Sequence, residues 1–414
     1  MTGLELRAEP QTSMVDELVH IRVAGARPRT TVTISARATG ADGNVWRSEA
    51  AFDADRRGFI DLATDAPVDG TYAGADLMGL FWSMRSAGNA DALLPNPGQR
   101  SLALMLSASD EAGTTARMWL TRQFSRPTIE RTDVRTGGLV GTFFRPRGET
   151  TRQGVVVVGG SGGGIPEDMA GVLGSHGLAA LAVAYFGVHP LPEELVEVPL
   201  DYVEAAMAWL RAQHGVQERR VHIIGRSRGA ELALLAGATL GGVGSVVAYV
   251  PSGVTWWGWT QRGWSPSPAW TYRGRRLPCP GRSPGPGFDG TTGPAFFREL
   301  LRQRPAESSA AAIPVETIDG DVLLISGGDD QIWPSTDFAA LVQERRRAAR
   351  RSCRHLDYPS AGHMIGYPFV PTPTLVVHEA TGRTIPLGGT VHANAAASAD
   401  SWPHVLRVLE SGPG

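Results

Sequence analysis

The pattern of apolar and polar residues divides the chain into two parts. Over about the first 130 residues, short segments alternate apolar with polar positions, as half-buried strands do, and turn residues such as those at 40–43 separate them. These segments are 18–23, 30–36, 45–52, 102–106 and 118–124. Short strands with turn signals between them predict a β-sandwich of immunoglobulin-like type over residues 1–130.

From about residue 135 the pattern changes to continuous apolar runs that alternate with amphipathic segments. Runs typical of buried strands are found at 153–158, 178–185, 221–224, 246–250 and 321–326. Helical periodicity or strong helix formers occur at 199–213, 230–236, 337–350 and 401–409. Buried strands that alternate with helices predict an α/β domain with a mostly parallel, doubly wound sheet over residues 131–414.

Residues 251–290 interrupt the alternation with a segment rich in Trp, Pro and Gly. The segment comes just after a predicted strand, at the sheet edge where α/β proteins bind ligands. We predict a long irregular insertion that is either a lid or a packed loop. Trp256 and Trp257 accordingly either line an acyl pocket or hold the loop down.

Composition narrows the possible partners. The formal net charge is only −2, and the sequence contains no run of basic residues, which argues against nucleic-acid binding. All 39 basic residues are arginine, as is typical of a bacterial genome of high GC content. The two cysteines lack metal-ligand neighbours, and neither a secretory signal nor an apolar span of membrane length occurs. We expect a cytoplasmic enzyme or binding protein with no metal, no cofactor and no membrane partner.

The most informative motif is Gly-x-Ser-x-Gly at residues 225–229. A buried strand is predicted before it and a helix after it, which is the context of a nucleophile elbow in α/β-hydrolases. The tight turn requires glycine, because a Cβ at Gly225 or Gly229 would collide with the neighbouring strand or helix. Ser227 is therefore the candidate nucleophile.

A nucleophilic serine needs a base and an orienting acid, which in α/β-hydrolases follow in the order Ser, Asp, His. Asp329 and Asp330 come just after the predicted strand 321–326, and Asp330 fits the spacing of that turn better. The other aspartate would then shape the turn or cap the next helix. His363 follows a predicted strand at 355–359 on a loop of small residues, and is the candidate base.

A glycine-rich loop at 159–164 follows the predicted strand 153–158 and is the candidate oxyanion loop. Backbone N–H groups would stabilise the negative oxygen of a tetrahedral intermediate. We expect one donor at Arg228, directly after the nucleophile, and the other at Ser161 or Gly162. A dinucleotide-binding loop is the competing interpretation, but the glycine spacing is wrong and no acidic residue ends a following strand.

With these residues placed, the chain resembles the family of acyl-coenzyme A (acyl-CoA) thioesterases and bile acid-CoA:amino acid N-acyltransferases. The resemblance covers most of the chain and is carried by these stretches: 14–17, 72–82, 160–164, 181–185, 191–192, 225–232, 327–333 and 358–363. It favours Asp330 over Asp329 as the acid, and it includes Trp333 as a further candidate substrate contact. The Trp-rich segment is unlike the corresponding part of the family.

The resemblance implies hydrolysis or transfer of an acyl group from a CoA thioester through a covalent acyl-enzyme. Members that transfer to glycine or taurine can use cysteine as the nucleophile, whereas this chain has serine, as in the hydrolytic branch. We therefore expect a thioester hydrolase with a small-molecule acyl-CoA substrate. Transfer to an amine, hydrolysis of oxygen esters, and a degenerate hydrolase that only binds are the alternatives.

Overall fold

The computed structural model describes residues 3–86, 98–148, 153–216, 220–285, 293–378 and 383–410. The N-terminal part consists almost entirely of strands, and one short helix, α1, covers Gly79–Trp82. Its strands are β1 Glu5–Glu9, β2 Thr12–Met14, β3 His20–Ala24, β4 Thr31–Thr39, β5 Val45–Asp53, β6 Ile60–Asp61, β7 Asp69–Gly70, β8 Arg85–Ser86, β9 Ser101–Asp110 and β10 Thr115–Gln123.

These strands form two sheets with a common apolar core. One sheet has the order β1-β3-β6, and the other β2-β10-β9-β4-β5-β7, with β8 also on β5. Every second residue of the central strands is buried, and the buried residues belong to one cluster: Ile21, Val23, Val32, Ile34, Phe52, Leu104 and Leu106. The alternation seen in the sequence therefore does predict a two-sheet sandwich.

The second part is built on one eight-stranded sheet of order β11-β12-β14-β13-β16-β17-β22-β23. Its strands are β11 Ile129–Thr136, β12 Leu139–Pro146, β13 Gly154–Val158, β14 Ala179–Ala184, β16 Val221–Arg226, β17 Val243–Tyr249, β22 Val322–Gly327 and β23 Cys353–Tyr358. The six strands from β14 to β23 are parallel, while β11 and β12 form an antiparallel edge. The sheet already begins at Ile129, just before the predicted start of the domain at residue 131.

Helices cover both faces of this sheet. They are α2 Glu167–Ser175, α3 Leu200–Arg211, α4 Arg228–Thr239, α7 Ser335–Ala348 and α8 Val391–Glu410, with a 3₁₀ turn at Val315–Thr317. Two further helices, α5 Gly293–Gln303 and α6 Pro305–Ala310, pack on each other. Val155 and Val157 of β13 share a core cluster with α2 and α8, whereas Val156 and Val158 share another with α3, α4 and α7. This is the doubly wound α/β-hydrolase arrangement that the sequence predicts.

The insertion was predicted to lack regular structure, and this prediction is wrong. It contains the hairpin β18 Trp257–Thr260 and β19 Gly263–Pro268, followed by β20 Trp270–Tyr272 and β21 Arg275–Arg276, while β15 Val198–Pro199 pairs with β20. Proline suggested a loop, but it is tolerated on the edge strands of such small sheets. Residues 286–290 of the predicted segment lie outside the described residues.

Three further departures concern the helices and the last hairpin. The final helix begins at Val391 rather than near residue 401, and Pro403 lies inside it. Helices α2, α5 and α6 were not predicted. Neither was the hairpin of β24 Leu375–His378 and β25 Arg383–Pro386.

The two N-terminal stretches that carry the resemblance lie at or near the contact between the domains. Asp16 accepts hydrogen bonds through Oδ2 from His176 Nε2, after α2, and from Trp402 Nε1, in α8, at 2.6 and 2.9 Å. The ring of Trp82 in α1 packs edge-on against that of His392 in α8, with 5.6 Å between centroids. These contacts hold the sandwich against helices of the α/β domain.

Candidate active site

Ser227 occupies the turn between β16 and α4 in a strained conformation. Its backbone has φ 56° and ψ −120°, outside the regions that L-residues ordinarily adopt, which costs about 1–3 kcal/mol. The N–H of Ser227 donates to the carbonyl of Tyr249 at 3.0 Å, and its own carbonyl accepts from the N–H of Ala230 at 2.9 Å. Strand, strained serine and helix together have the geometry of a nucleophile elbow.

The two glycines of the motif are required by close backbone contacts. A Cβ on Gly225 would lie 2.1 Å from the carbonyl oxygen of Gly229. A Cβ on Gly229 would lie 2.2 Å from the carbonyl oxygen of Gly159, at the end of β13. A side chain at Gly225 would therefore force β16 away from the start of α4, and one at Gly229 would force the elbow away from the end of β13.

Asp330 and His363 form a buried pair. Nδ1 of His363 lies 2.9 Å from Oδ2 of Asp330, and both side chains are almost completely buried. The other carboxylate oxygen accepts from the backbone N–H of Ile332 at 2.9 Å and of Trp333 at 3.3 Å. The carboxylate is thus fixed in position, and it can hold the imidazole in one tautomer with Nε2 free for chemistry.

Asp329, the alternative acid, takes part in the turn instead. Its carboxylate accepts from Nε2 of Gln331 at 2.7 Å and from the backbone N–H of Gly389 at 2.9 Å, and the residue is exposed. Of the two adjacent aspartates, it is therefore Asp330 that pairs with His363.

Ser227 and the Asp330–His363 pair lie at the same edge of the sheet. They follow the carboxyl ends of the parallel strands β16, β22 and β23. Trp333 lies between the two parts of the site. The centroids of its ring and that of His363 are 6.1 Å apart, and its indole N–H donates to the carbonyl of Val250 at 3.1 Å. Val250 directly follows Tyr249, which accepts the N–H of Ser227.

The glycine loop after β13 lies beside the nucleophile. A Cβ on Gly160 would lie 3.5 Å from Cβ of Ser227. Ser161 and Gly162 are exposed at the tip of a turn that the N–H of Gly163 closes on the carbonyl of Gly160 at 3.3 Å. Arg228 is the first residue of α4, where backbone N–H groups have no acceptor within the helix. Donation of these N–H groups to an oxyanion stays a prediction.

The side chain of Arg228 belongs to a buried charged cluster that the sequence did not reveal. Its Nη1 lies 2.7 Å from Oε2 of Glu231, and Nη2 donates to the carbonyl of Trp257 at 3.0 Å. Oε1 of Glu231 accepts from the indole N–H of Trp270 at 2.6 Å and from the backbone N–H of Trp256 at 3.0 Å. Burial raises the pKa of Glu231 to about 7, although the Arg228 guanidinium opposes this shift. These contacts fasten the insertion to the nucleophile helix.

The three tryptophans proposed as substrate contacts are buried in the structure. Trp256, Trp257 and Trp333 belong to one aromatic cluster with Phe297 of α5 and Phe338 of α7. Trp256 and Phe297 pack edge-on with 4.8 Å between ring centroids. The cluster shows how the insertion is packed, while contact of these residues with a substrate stays a prediction.

Two further structural findings concern metals and membranes. Within the described ranges, no group of three or more His, Cys, Asp or Glu side chains is placed to hold a metal ion. Among the same residues, no helix combines the length and apolarity needed to cross a bilayer.

Replacing Asp330 by asparagine is expected to lower kcat by about 10⁴-fold, because an amide favours the tautomer in which Nε2 carries a proton and cannot accept one. The matched control is Asp329→Asn, which makes the same chemical change at the adjacent residue that does not contact His363. Steady-state hydrolysis of an acyl-CoA or an activated ester measures both. An Asp330→Asn enzyme within about tenfold of wild type would contradict this assignment.

The fold and this site define an enzyme of the α/β-hydrolase superfamily with a β-sandwich at its N-terminus. Two models of known protein families match this chain, and both agree with this class of enzyme. The model described as BAAT / Acyl-CoA thioester hydrolase C terminal matches residues 198–411, and the one described as Acyl-CoA thioester hydrolase/BAAT N-terminal region matches residues 16–136. The chain belongs to the acyl-CoA thioester hydrolase/BAAT family.

Curated relatives match over nearly the full length. The acyl-coenzyme A amino acid N-acyltransferase 2 of Rattus norvegicus is 31% identical, with 99% of each chain covered. The acyl-coenzyme A thioesterase 1 of Homo sapiens is 30% identical, covering 94% of this chain and 91% of that protein. The peroxisomal succinyl-coenzyme A thioesterase of Mus musculus is 28% identical, covering 97% of this chain and 95% of that protein.

Proposed function

We propose that this protein hydrolyses acyl-CoA thioesters through an acyl-enzyme on Ser227. The observation that carries the proposal is the buried His363–Asp330 pair at the same sheet edge as a serine in an elbow conformation. Membership of a family whose members are named for acyl-CoA chemistry supports the substrate class.

The first half of the reaction forms the acyl-serine. Oγ of Ser227 attacks the thioester carbonyl while Nε2 of His363 accepts its proton, and Asp330 stabilises the resulting imidazolium. The carbonyl oxygen becomes negative and is held by the N–H of Arg228 together with one from the glycine loop, at Ser161 or Gly162. The C–S bond then breaks, and the departing CoA sulfur takes the proton from His363.

The second half releases the acid. Nε2 of His363 accepts a proton from a water molecule, whose oxygen attacks the acyl-serine carbonyl. The second tetrahedral intermediate uses the same oxyanion donors. It collapses with return of the proton to Oγ of Ser227, which regenerates the enzyme and leaves a free carboxylic acid.

Transfer to an amine is the second candidate, because a relative that is 31% identical is named an amino acid N-acyltransferase. In that reaction an amine replaces water in the second half, and an amide is formed. Serine at position 227 favours hydrolysis, since the acyl-serine is an oxygen ester and lacks the thioester reactivity of an acyl-cysteine towards amines.

The test is release of free CoA thiol from short-, medium- and long-chain acyl-CoAs, with and without glycine or taurine, and with Ser227→Ala in parallel. We expect Ser227-dependent release without an amine, and a free acid as the product by mass spectrometry. Release that requires the amine, with an amide as the product, would replace hydrolysis by N-acyl transfer. No release under either condition, but cleavage of p-nitrophenyl esters, would make the protein an ester hydrolase.

A further inference from the structure

A buried tyrosine holds the glycine loop beside the nucleophile. The hydroxyl of Tyr185, directly after β14, donates to the carbonyl of Gly159 at 2.8 Å and lies 3.3 Å from the carbonyl of Gly160. These are the first two residues after β13, and Gly160 is the loop residue whose Cβ position lies 3.5 Å from Cβ of Ser227. The hydroxyl therefore contacts the loop at the point where it passes the nucleophile.

Fixing these two carbonyls also fixes two N–H groups. In a trans peptide the C=O of one residue and the N–H of the next point in opposite directions. The contacts of Tyr185 thus orient the N–H groups of Gly160 and Ser161 away from the phenol. Five of the six residues at 159–164 are glycine, so the loop has few side-chain contacts of its own to hold it.

The phenol is itself held in place from the nucleophile helix. Its ring packs against that of Trp270 with 5.8 Å between centroids, and the indole N–H of Trp270 donates to Glu231 in α4 at 2.6 Å. Glu231 follows Ser227 by one helical turn, and its N–H donates to the carbonyl of Ser227 at 3.1 Å. A continuous series of contacts therefore runs from the nucleophile through Glu231, Trp270 and Tyr185 to the glycine loop.

We propose that Tyr185 is a positioning residue for the oxyanion hole, holding the 159–161 backbone so that the N–H of Ser161 meets the negative charge that develops on the carbonyl oxygen when Ser227 attacks. The assignment rests on the proposed acyl-transfer chemistry. Preorganised donors stabilise an oxyanion because they need no reorientation during the reaction. Loss of the hydroxyl would release the loop without removing a donor. The transition state should therefore be destabilised more than the bound substrate.

Ionisation of the phenol does not remove the contact in the neutral pH range. Burial raises the pKa of Tyr185 well above its usual value, which keeps the hydroxyl a donor. The charges of Arg228 and Glu231 act in opposite directions on the pKa of this phenol, that of Arg228 lowering it and that of Glu231 raising it. The hydroxyl of Tyr185 should therefore remain a donor throughout the range of about pH 6 to 9.

Tyr185→Phe tests the proposal, with Tyr202→Phe as the matched control. Tyr202 is also a tyrosine of the catalytic domain whose hydroxyl donates to a backbone carbonyl, that of Ala184 at 2.6 Å, but it does not contact the glycine loop. Three quantities are measured for each variant: the rate of labelling of Ser227 by a fluorophosphonate, kcat for an acyl-CoA, and the Kd of an S-alkyl-CoA thioether. The phosphonyl oxygen occupies the oxyanion site, whereas the thioether has no carbonyl oxygen.

For Tyr185→Phe we expect labelling and kcat to fall together by about 10–100-fold, less than for complete loss of a donor, with the thioether Kd unchanged. Tyr202→Phe should stay close to wild type in all three. Unchanged labelling, or a thioether Kd weakened by the same factor as kcat, would overturn the proposal, as would an equal effect of Tyr202→Phe.

The labelling rate separates this proposal from the proposed function. If wild type hydrolyses no acyl-CoA but is labelled, and Tyr185→Phe slows that labelling, the substrate class is wrong and the positioning role stands. If wild type is not labelled at all, both are overturned.

Discussion

Ser227→Ala is expected to lower acyl-CoA hydrolysis by about 10⁴–10⁶-fold, leaving only what binding and oxyanion stabilisation provide without a nucleophile. Alanine removes Oγ and keeps the Cβ, so the elbow and its backbone contacts should persist. The effect should appear in kcat, with little change in the affinity for a thioether analogue, because ground-state binding does not use the hydroxyl.

The control for this prediction is Ser360→Ala, which removes an exposed serine hydroxyl from the loop that carries His363. Its rate of thiol release should match wild type. Thiol release by Ser227→Ala at more than about a hundredth of the wild-type rate would mean that Ser227 is not the nucleophile.

The second large effect is expected in stability. Replacing Glu231 by alanine should lower the free energy of unfolding by about 3–5 kcal/mol, because it leaves the buried guanidinium of Arg228 without its carboxylate. It also removes the acceptor of the Trp270 indole and of the Trp256 N–H. Denaturant unfolding followed by tryptophan fluorescence measures the loss.

Two further variants separate charge from hydrogen bonding at this position. Glu231→Gln keeps an oxygen that can accept from Trp270 and Trp256 but removes the charge. It should therefore lower the free energy of unfolding by less than Glu231→Ala does. The double variant Glu231→Gln with Arg228→Met removes both charges and should recover part of the loss, as replacement of a buried ion pair by apolar groups often does. A Glu231→Ala protein as stable as wild type would show that the cluster does not fasten the insertion.

The sequence predicted the large sheet well, because continuous apolar runs are a clear signal for its buried strands. The strands β13, β14, β16, β17 and β22 of the large sheet coincide with continuous apolar runs, because parallel strands covered on both faces leave few positions for polar residues. The edge strand β23 is more polar and was recognised only from its last residues. The turns after these strands contain Ser227, Asp330 and His363, and Gly-x-Ser-x-Gly indicates the elbow because glycine is sterically required there.

The parts that were not predicted depend on contacts between distant segments. The hairpin in the insertion is held by pairing of Trp259 with Trp264 and by burial of its tryptophans, whereas locally its prolines and glycines indicate a loop. Tyr185 and Glu231 lie in stretches that carry the family resemblance, but the sequence gives neither of them a contact or a role. Only the fold shows that one contacts the glycine loop and the other the insertion.

The measurement that tests the central claim most directly is mass spectrometry of the enzyme after rapid mixing with an acyl-CoA and an acid quench. The account predicts a mass increase equal to the acyl group, located on the peptide that contains Ser227, together with an equivalent of free CoA. Neither should be seen with Ser227→Ala. CoA release by Ser227→Ala at the wild-type rate, or an acyl group on another residue, would contradict the account.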